Sequence, residues 1–202
     1  MESSDKKATR GRPKTFDRSH VIAVAMQAYW EEGQAEVSLN AICQRARVSK
    51  PSLYKEFEGE DGLKEAVLID YHQMTLAPLY EMLAEDQPFD TALAALADYV
   101  LRDHQEYGIP NGCLLVDMCQ CRDHLGDRTG ARVDDLRALS LRVFETWIEK
   151  ARARGEIRSG ISPRTAALYI DAQIASIMNM QRQGVSQNDI ASVFLLALSV
   201  LK

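Results

Sequence analysis

The sequence predicts an all-α fold: an N-terminal three-helix helix-turn-helix unit followed by a larger helical domain, about nine helices together. Three observations predict it. Apolar residues recur at three- and four-residue spacing along most of the chain. Asp, Ser and Gly stand where helix caps belong. No alternating β-branched run of useful length, low-complexity segment or internal repeat interrupts the pattern. With 202 residues, 46% of them hydrophobic, the chain has enough apolar material for one substantial core or a small module docked on a larger domain.

The elements follow in order. Asp17 caps a run in which Val21, Ile22, Ala25, Met26, Tyr29 and Trp30 keep helical spacing, and Gly33 ends it. Ser38 caps a second helix with Leu39, Ile42, Cys43 and Ala46 on one face. Ser49 caps a third, where Pro51 sits in the first turn and its missing N–H needs no intrahelical partner. A fourth opens near Glu60 and shows Leu63, Ala66, Val67, Tyr71 and Met74, with Pro78 expected to break it. Periodicity then supports helices near 90–107, 112–124, 128–154, 163–183 and 187–201, parted by "GIPNG", "HLGDR" and "RSGISP". The last helix has two apolar stripes. Ile190, Phe194, Ala197 and Leu201 form one, and Val193, Leu196 and Val200 the other. A helix apolar on both sides must be covered on both sides, either as a central core helix or between its own domain and a second subunit.

The stretch "SLNAICQRARVSKPSLYKEF" has the length and turn of a helix-turn-helix, in which the first helix props the second against the DNA major groove. Ala46, Val48 and Leu53 fill the angle, while Ser49, Lys50, Ser52, Tyr54 and Lys55 point outward. An ordinary αα-hairpin with a solvated face is the competing reading. The net charge of −5 opposes a nucleic-acid partner in sum, but its distribution does not. Between Lys6 and Arg18 six basic residues face one acid, whereas from Asp61 onward 14 basic residues face 20 acidic ones. A basic arm on an acidic body suits a molecule of which one end approaches phosphates; a merely solvated tail would look the same.

These residues resemble the TetR family of bacterial transcriptional regulators. The likeness covers roughly residues 10 to 75: the arm "RGRPKTFDR", a first helix ending "YWEEG", and the serine-led helix, "VS" turn and "Y-x-x-F" recognition helix. The resemblance implies a flexible basic arm over 1–15, a DNA-binding domain over 16–60 and a helical ligand-binding and dimerisation domain over 61–202. It places Ser38, Arg45, Ser49, Lys50, Ser52, Tyr54 and Lys55 at double-stranded DNA, with Phe57 packed inward. Arg10, Arg12 and Lys14 would add arm contacts, the two arginines flanking Gly11 reaching into an adjacent minor groove. Two positions depart from the family pattern. Arg47 stands where the turn usually has Gly, and Glu60 where a phosphate-binding Lys often begins the fourth helix. Glu60 also suits the positive end of a helix.

The resemblance further implies a homodimer built on the last two long helices, with Ile170, Ile174, Ile177, Val193, Phe194, Leu196 and Val200 at the interface. Two recognition helices joined rigidly read a palindrome whose half-sites lie about 34–36 Å apart. A small-molecule effector that favours a conformer of the wrong spacing releases the DNA, making the chain a ligand-responsive repressor. The segment "NGCLLVDMCQCRDH" resembles a GCLL-type branch of the family near the effector pocket. Cys113, Cys121 and His124 are candidates for an electrophile- or metal-responsive site if Arg122 or His124 lowers a thiol pKa, and buried structural cysteine is the alternative. Cys113 and Cys121 would align after about two helical turns. Tyr107, Met118, Trp147 and Met178 could line an apolar pocket or simply pack.

Other classes find less support. No G-x-S-x-G, H-E-x-x-H, Walker loop or dinucleotide turn is present, so the chain is not expected to be an enzyme. A thiol-based redox enzyme and a DNA-free helical adaptor are the alternatives. Structural zinc spacing is absent, and no cofactor or metal is expected. No run approaches the length of a membrane span, no signal peptide is evident, and the four cysteines read as reduced thiols, so no membrane partner and a cytoplasmic location are expected.

Overall fold

The computed structural model describes residues 16–102, 106, 108–157 and 160–201, and no strand occurs among them. The helices are α1 (Arg18–Glu32), α2 (Leu39–Ala46), α3 (Lys50–Phe57), α4 (Glu60–Tyr71), α5 (Ala77–Ala84), α6 (Phe89–Leu101), α7 (Leu114–Gln120), α8 (Asp127–Ala153), α9 (Pro163–Arg182) and α10 (Gln187–Leu198). A π turn, His72–Leu76, joins α4 to α5 without a break, so the described residues form nine rods, in line with the sequence expectation. None of these helices is long and apolar enough to cross a membrane.

The caps fall where the sequence places them. Asp17 accepts from His20 N at 3.0 Å, Ser38 from Ala41 N at 3.2 Å and Ser49 from Ser52 N at 3.2 Å, while Gly33 closes α1 with φ 94°. Pro78 does not break the fourth helix. It enters the first turn of α5, and Ala77 N–H donates to the His72 carbonyl five residues back. That widened turn takes up the backbone just ahead of the ring, where a regular α-turn would clash. The helix expected over 90–107 ends at Leu101, and the one expected over 112–124 ends at Gln120 and resumes as a 3₁₀ turn, Arg122–His124.

One continuous apolar core runs from Val21 on α1 to Leu201 after α10. The fourth helix is its hinge of packing, lying against α1 and α3 on one side and α8 on the other, while α8 runs along α9. The α4–α8 contact is polar at one point. Gly126 precedes α8 and offers no capping side chain, so Asp61 on α4 supplies one from 67 positions away. Its carboxylate accepts from Arg128 N and Thr129 N, each at 3.0 Å, and from Thr129 Oγ1 at 2.5 Å. A Cβ at Gly126 would stand 2.3 Å from the Asp61 carboxyl carbon, so this approach requires glycine. Burial alone would raise the Asp61 pKa, but the hydrogen bonds from Thr129 and Arg128 outweigh it and hold the carboxyl below its ordinary value. Arg128 completes the junction by ion pairs to Glu58 and Glu65, both at 2.7 Å.

Replacing Asp61 with Ala should cost about 1–2 kcal/mol, the scale of a lost helix cap. Urea unfolding at neutral pH measures it. Because the folded carboxyl has the lower pKa, the difference between wild type and variant should persist above the unfolded value of about 3.9 and vanish as the pH falls through the folded one.

Candidate nucleic-acid interface and effector chamber

The third helix is eight residues long, too short to persist alone, and it survives because Leu53 and Phe57 are buried beneath it. Arg18 lies over the Phe57 ring at 5.3 Å and pairs with Glu56 at 3.3 Å, closing the bottom of the unit. The opposite face is outward. Ser38, Arg45, Ser49, Lys50, Ser52, Tyr54 and Lys55 are all exposed, Tyr54 at 48%. Arg10, Arg12 and Lys14 lie outside the described residues. Lys50 leans over the Tyr54 ring at 5.9 Å. Phe57 is inward at 3% exposure, as the aromatic pairing predicts.

One feature of this face has no signature in the local sequence. Arg45 is engaged by Glu32 at the end of α1 through both guanidinium nitrogens, one of them 2.9 Å from Glu32 Oε2. That pairing lowers the Glu32 pKa and raises that of Arg45. The ion pair spans 13 positions across two helices, and no local pattern announces it. Glu60 forms an i,i+4 pair with Lys64 at 2.8 Å in the first turn of α4, and Lys64 also donates to Gln34 at 2.7 Å. Glu60 therefore has a structural role at the helix N-terminus. A cleft of about 630 Å³ opens between the start of α1 and the α2–α3 turn, lined by Phe16, His20, Arg45, Arg47, Ser49 and Ser52 among others.

In the body, a chamber of about 50 Å³ is lined by Trp30, Tyr71, Tyr99, Cys113, Met178 and their neighbours. Tyr71 donates its hydroxyl to Cys113 Sγ at 3.1 Å, and its ring meets Trp30 edge-on at 5.0 Å. Of the effector candidates, the structure brings together Cys113 and Met178. Tyr107 lies outside the described residues. Met118 is fully buried; Trp147 stacks on Phe89 at 5.1 Å beside a separate cleft of about 190 Å³. Cys113 and Cys121 do not line up. Cys113 is the N-cap of α7 and Cys121 its C-cap, because the helix stops at Gln120. Cys121 donates to the Asp117 carbonyl at 2.9 Å, and His124 is exposed.

The cysteine environments also differ from the expectation of an acidified thiol. Burial pushes the Cys113 thiol up, partly opposed by the Tyr71 hydrogen bond, and pushes Cys119 up to about 11. Arg122, the expected acidifying cation, is turned to Asp134 in a forked pair with contacts of 2.7–3.1 Å. Cys119 lines a third cavity of about 260 Å³ with Leu115, Val116, Arg137, Asp171 and Ala175. Among the described residues no group of three or more His, Cys, Asp or Glu is arranged to hold a metal ion.

Family models match both halves of the chain: residues 21–67 match bacterial regulatory proteins of the tetR family, and residues 91–192 match the tetracyclin repressor-like C-terminal domain. The chain belongs to the TetR family. It is 26% identical over 181 residues to the HTH-type transcriptional repressor ComR of Escherichia coli, covering 89% of this chain and 86% of ComR. It is 30% identical over 184 residues to the transcriptional regulator AcuR of Cereibacter sphaeroides, covering 82% of this chain and 78% of AcuR. Its fold is shared by the TetR-family regulator CifR, solved as a cysteine mutant with a 26-base-pair operator, at TM-score 0.79 and 21% identity over 95% of this chain and all of that one. Reduced NemR of E. coli shares it equally, at TM-score 0.79 and 17% identity over 92% of this chain and 96% of NemR.

In this TetR-family chain the chamber and the recognition unit share a wall. Trp30 closes the chamber from the last turn of α1, and its carbonyl accepts from Arg182 Nη2 at 2.6 Å. The same guanidinium pairs with Asp117 on α7 at 2.5 Å, so one side chain at the end of α9 ties α7 to α1. The interface candidates divide. Ile170, Ile177 and Phe194 face the chain's own core, and Ile174 is half-buried beside the chamber. Val193, Leu196 and Val200 are exposed, joined by Leu168 and Leu195, so the two stripes read on the last helix separate as inner and outer faces. Ile170, Ile177 and Phe194 are covered by the chain's own side chains.

Burial raises the Asp117 pKa to about 6, with Arg182 opposing. Its folded carboxyl therefore holds a proton that the unfolded one has lost, and native stability measured relative to Asp117→Asn should fall as the pH rises from about 4 to about 6. Paired thermal melts across that window check the sign.

Proposed function

We propose that the chain is a ligand-responsive transcriptional repressor that binds a palindromic operator as a homodimer and releases it when a small molecule enters the body. One observation carries the reading: α3 buries Leu53 and Phe57 and presents Lys50, Tyr54 and Lys55 outward, with neither lysine paired to a carboxylate among the described residues. Hydroxyls and ammonium groups at the start of a propped helix suit phosphates and base edges of the major groove. The names of ComR, a repressor, and of CifR, captured on operator DNA, support the same reading. The basic arm over 1–15, with Arg10, Arg12 and Lys14, would add minor-groove contacts to a head over 16–60, and the body over 61–202 would carry the effector and dimer sites.

The outer apolar stripe on α9 and α10, with Leu196 at 73% exposure, supports a second copy as its cover. The chamber supports an effector route. A ligand seated there bears on Trp30, which belongs to the head. Such a ligand favours a conformer with altered head spacing and weakens DNA by the same coupling factor. "GCLL" supports a place in the GCLL-type branch: Gly112 holds φ 86° against the Met178 carbonyl, Cys113 begins α7, and Leu114 and Leu115 are buried. Burial that raises the Cys113 and Cys119 pKa values works against thiolate chemistry at those two positions, which favours a reversible small molecule as the ligand of the chamber that Cys113 lines. A cytoplasmic location completes the reading.

Footprinting on the intergenic DNA beside its own gene, with candidate inducers and with a chelator, tests the proposal as a whole. Lys50→Ala and Tyr54→Ala should each weaken duplex binding about tenfold in fluorescence anisotropy while leaving the melting temperature nearly unchanged; a collapse of folding instead would make α3 purely structural. Leu196→Glu should shift the protein toward monomer in light scattering and lower operator affinity with it.

A further inference from the structure

We infer that Arg47, in the turn between α2 and α3, is a phosphate contact of the DNA-reading head, an inference that rests on the proposed function. The backbone there is left-handed, with φ 56° and ψ 43°, a conformation that favours glycine. The turn closes α2 by two hydrogen bonds, Arg47 N to the Gln44 carbonyl at 3.2 Å and Val48 N to the Cys43 carbonyl at 3.0 Å. Both are main-chain bonds, so they make no demand for arginine at this position.

The charges around the head point to what the side chain is for. Arg18 is paired with Glu56, Arg45 with Glu32 and Lys64 with Glu60. Arg47 is exposed and has no carboxylate partner among the described residues. It lines the cleft of about 630 Å³ together with Arg45 and the hydroxyl-bearing Ser49 and Ser52. The acid in that cleft, Asp17, is occupied in capping α1 at 3.0 Å. Ser49 and Ser52 share one hydroxyl hydrogen bond at 2.7 Å, which leaves one hydroxyl hydrogen of the pair to join the uncompensated guanidinium as a donor to a phosphodiester oxygen. Backbone strain kept at an exposed turn then accompanies a charge placed for binding.

Arg47→Gly and Arg47→Asn, both compatible with a left-handed backbone, test this against the wild type on two duplexes: the intergenic DNA beside its own gene and an unrelated sequence of equal length. Both variants should keep or raise the melting temperature. Both should bind both duplexes several-fold more weakly, with a plot of log affinity against log salt shallower by about 0.9 for each phosphate that the variant leaves unneutralised. Unchanged affinity and salt slope would overturn the assignment to Arg47, and a weakening confined to the specific duplex would overturn its assignment to phosphate. A wild type that binds neither duplex would instead overturn the proposed function on which the inference stands.

Discussion

An eight-residue helix does not hold itself together in water, and the recognition unit depends on the burial that compensates for this. Leu53 and Phe57 sink into a floor made by α2 and α4, with Phe16 tilted against Phe57 at 6.1 Å. Because those two side chains fix the roll of α3, they also decide which residues are left outside. Lys50, Tyr54 and Lys55 are exposed for a packing reason before they are useful for a chemical one. The same floor joins the head to the body, since α4 continues through the π turn into α5 and carries Tyr71 into the chamber.

That continuity gives the molecule a physical route from pocket to head. Trp30 and Tyr71 meet edge-on in the chamber wall, Arg182 holds the Trp30 carbonyl while pairing with Asp117, and Asp61 caps α8 from α4. Each contact crosses between elements distant in sequence, and each has directional geometry. Packed interfaces of this kind shift between discrete arrangements, which is how a small displacement at a pocket becomes a change in the placement of a rigid helix.

The legibility of the site follows from the range of the interactions that build it. The exposed set at Ser38, Ser49, Lys50, Ser52, Tyr54 and Lys55 is readable because helical periodicity sorts inner from outer positions over one or two turns. The cysteines are less so. Alignment of Cys113 with Cys121 assumes a helix spanning both, whereas α7 is seven residues long and starts at one and stops at the other. Arg122 is turned to Asp134, twelve positions on, which holds its guanidinium. Ile170, Ile177 and Phe194 carry the right spacing for an interface and are covered within the chain itself, since an apolar stripe states that it must be covered and not by what.

The sequence by itself determined the all-α class, the caps at Asp17, Ser38 and Ser49, the helix-turn-helix and the two-sided character of α10, because caps and periodicity are local and act over three or four residues. Only the tertiary structure decided that Pro78 is absorbed by a π turn, that Asp61 caps α8, that Glu32 holds Arg45 and that Trp30 closes the chamber. Those outcomes depend on which distant groups arrive within hydrogen-bonding distance, and that is fixed by how the apolar faces pack together.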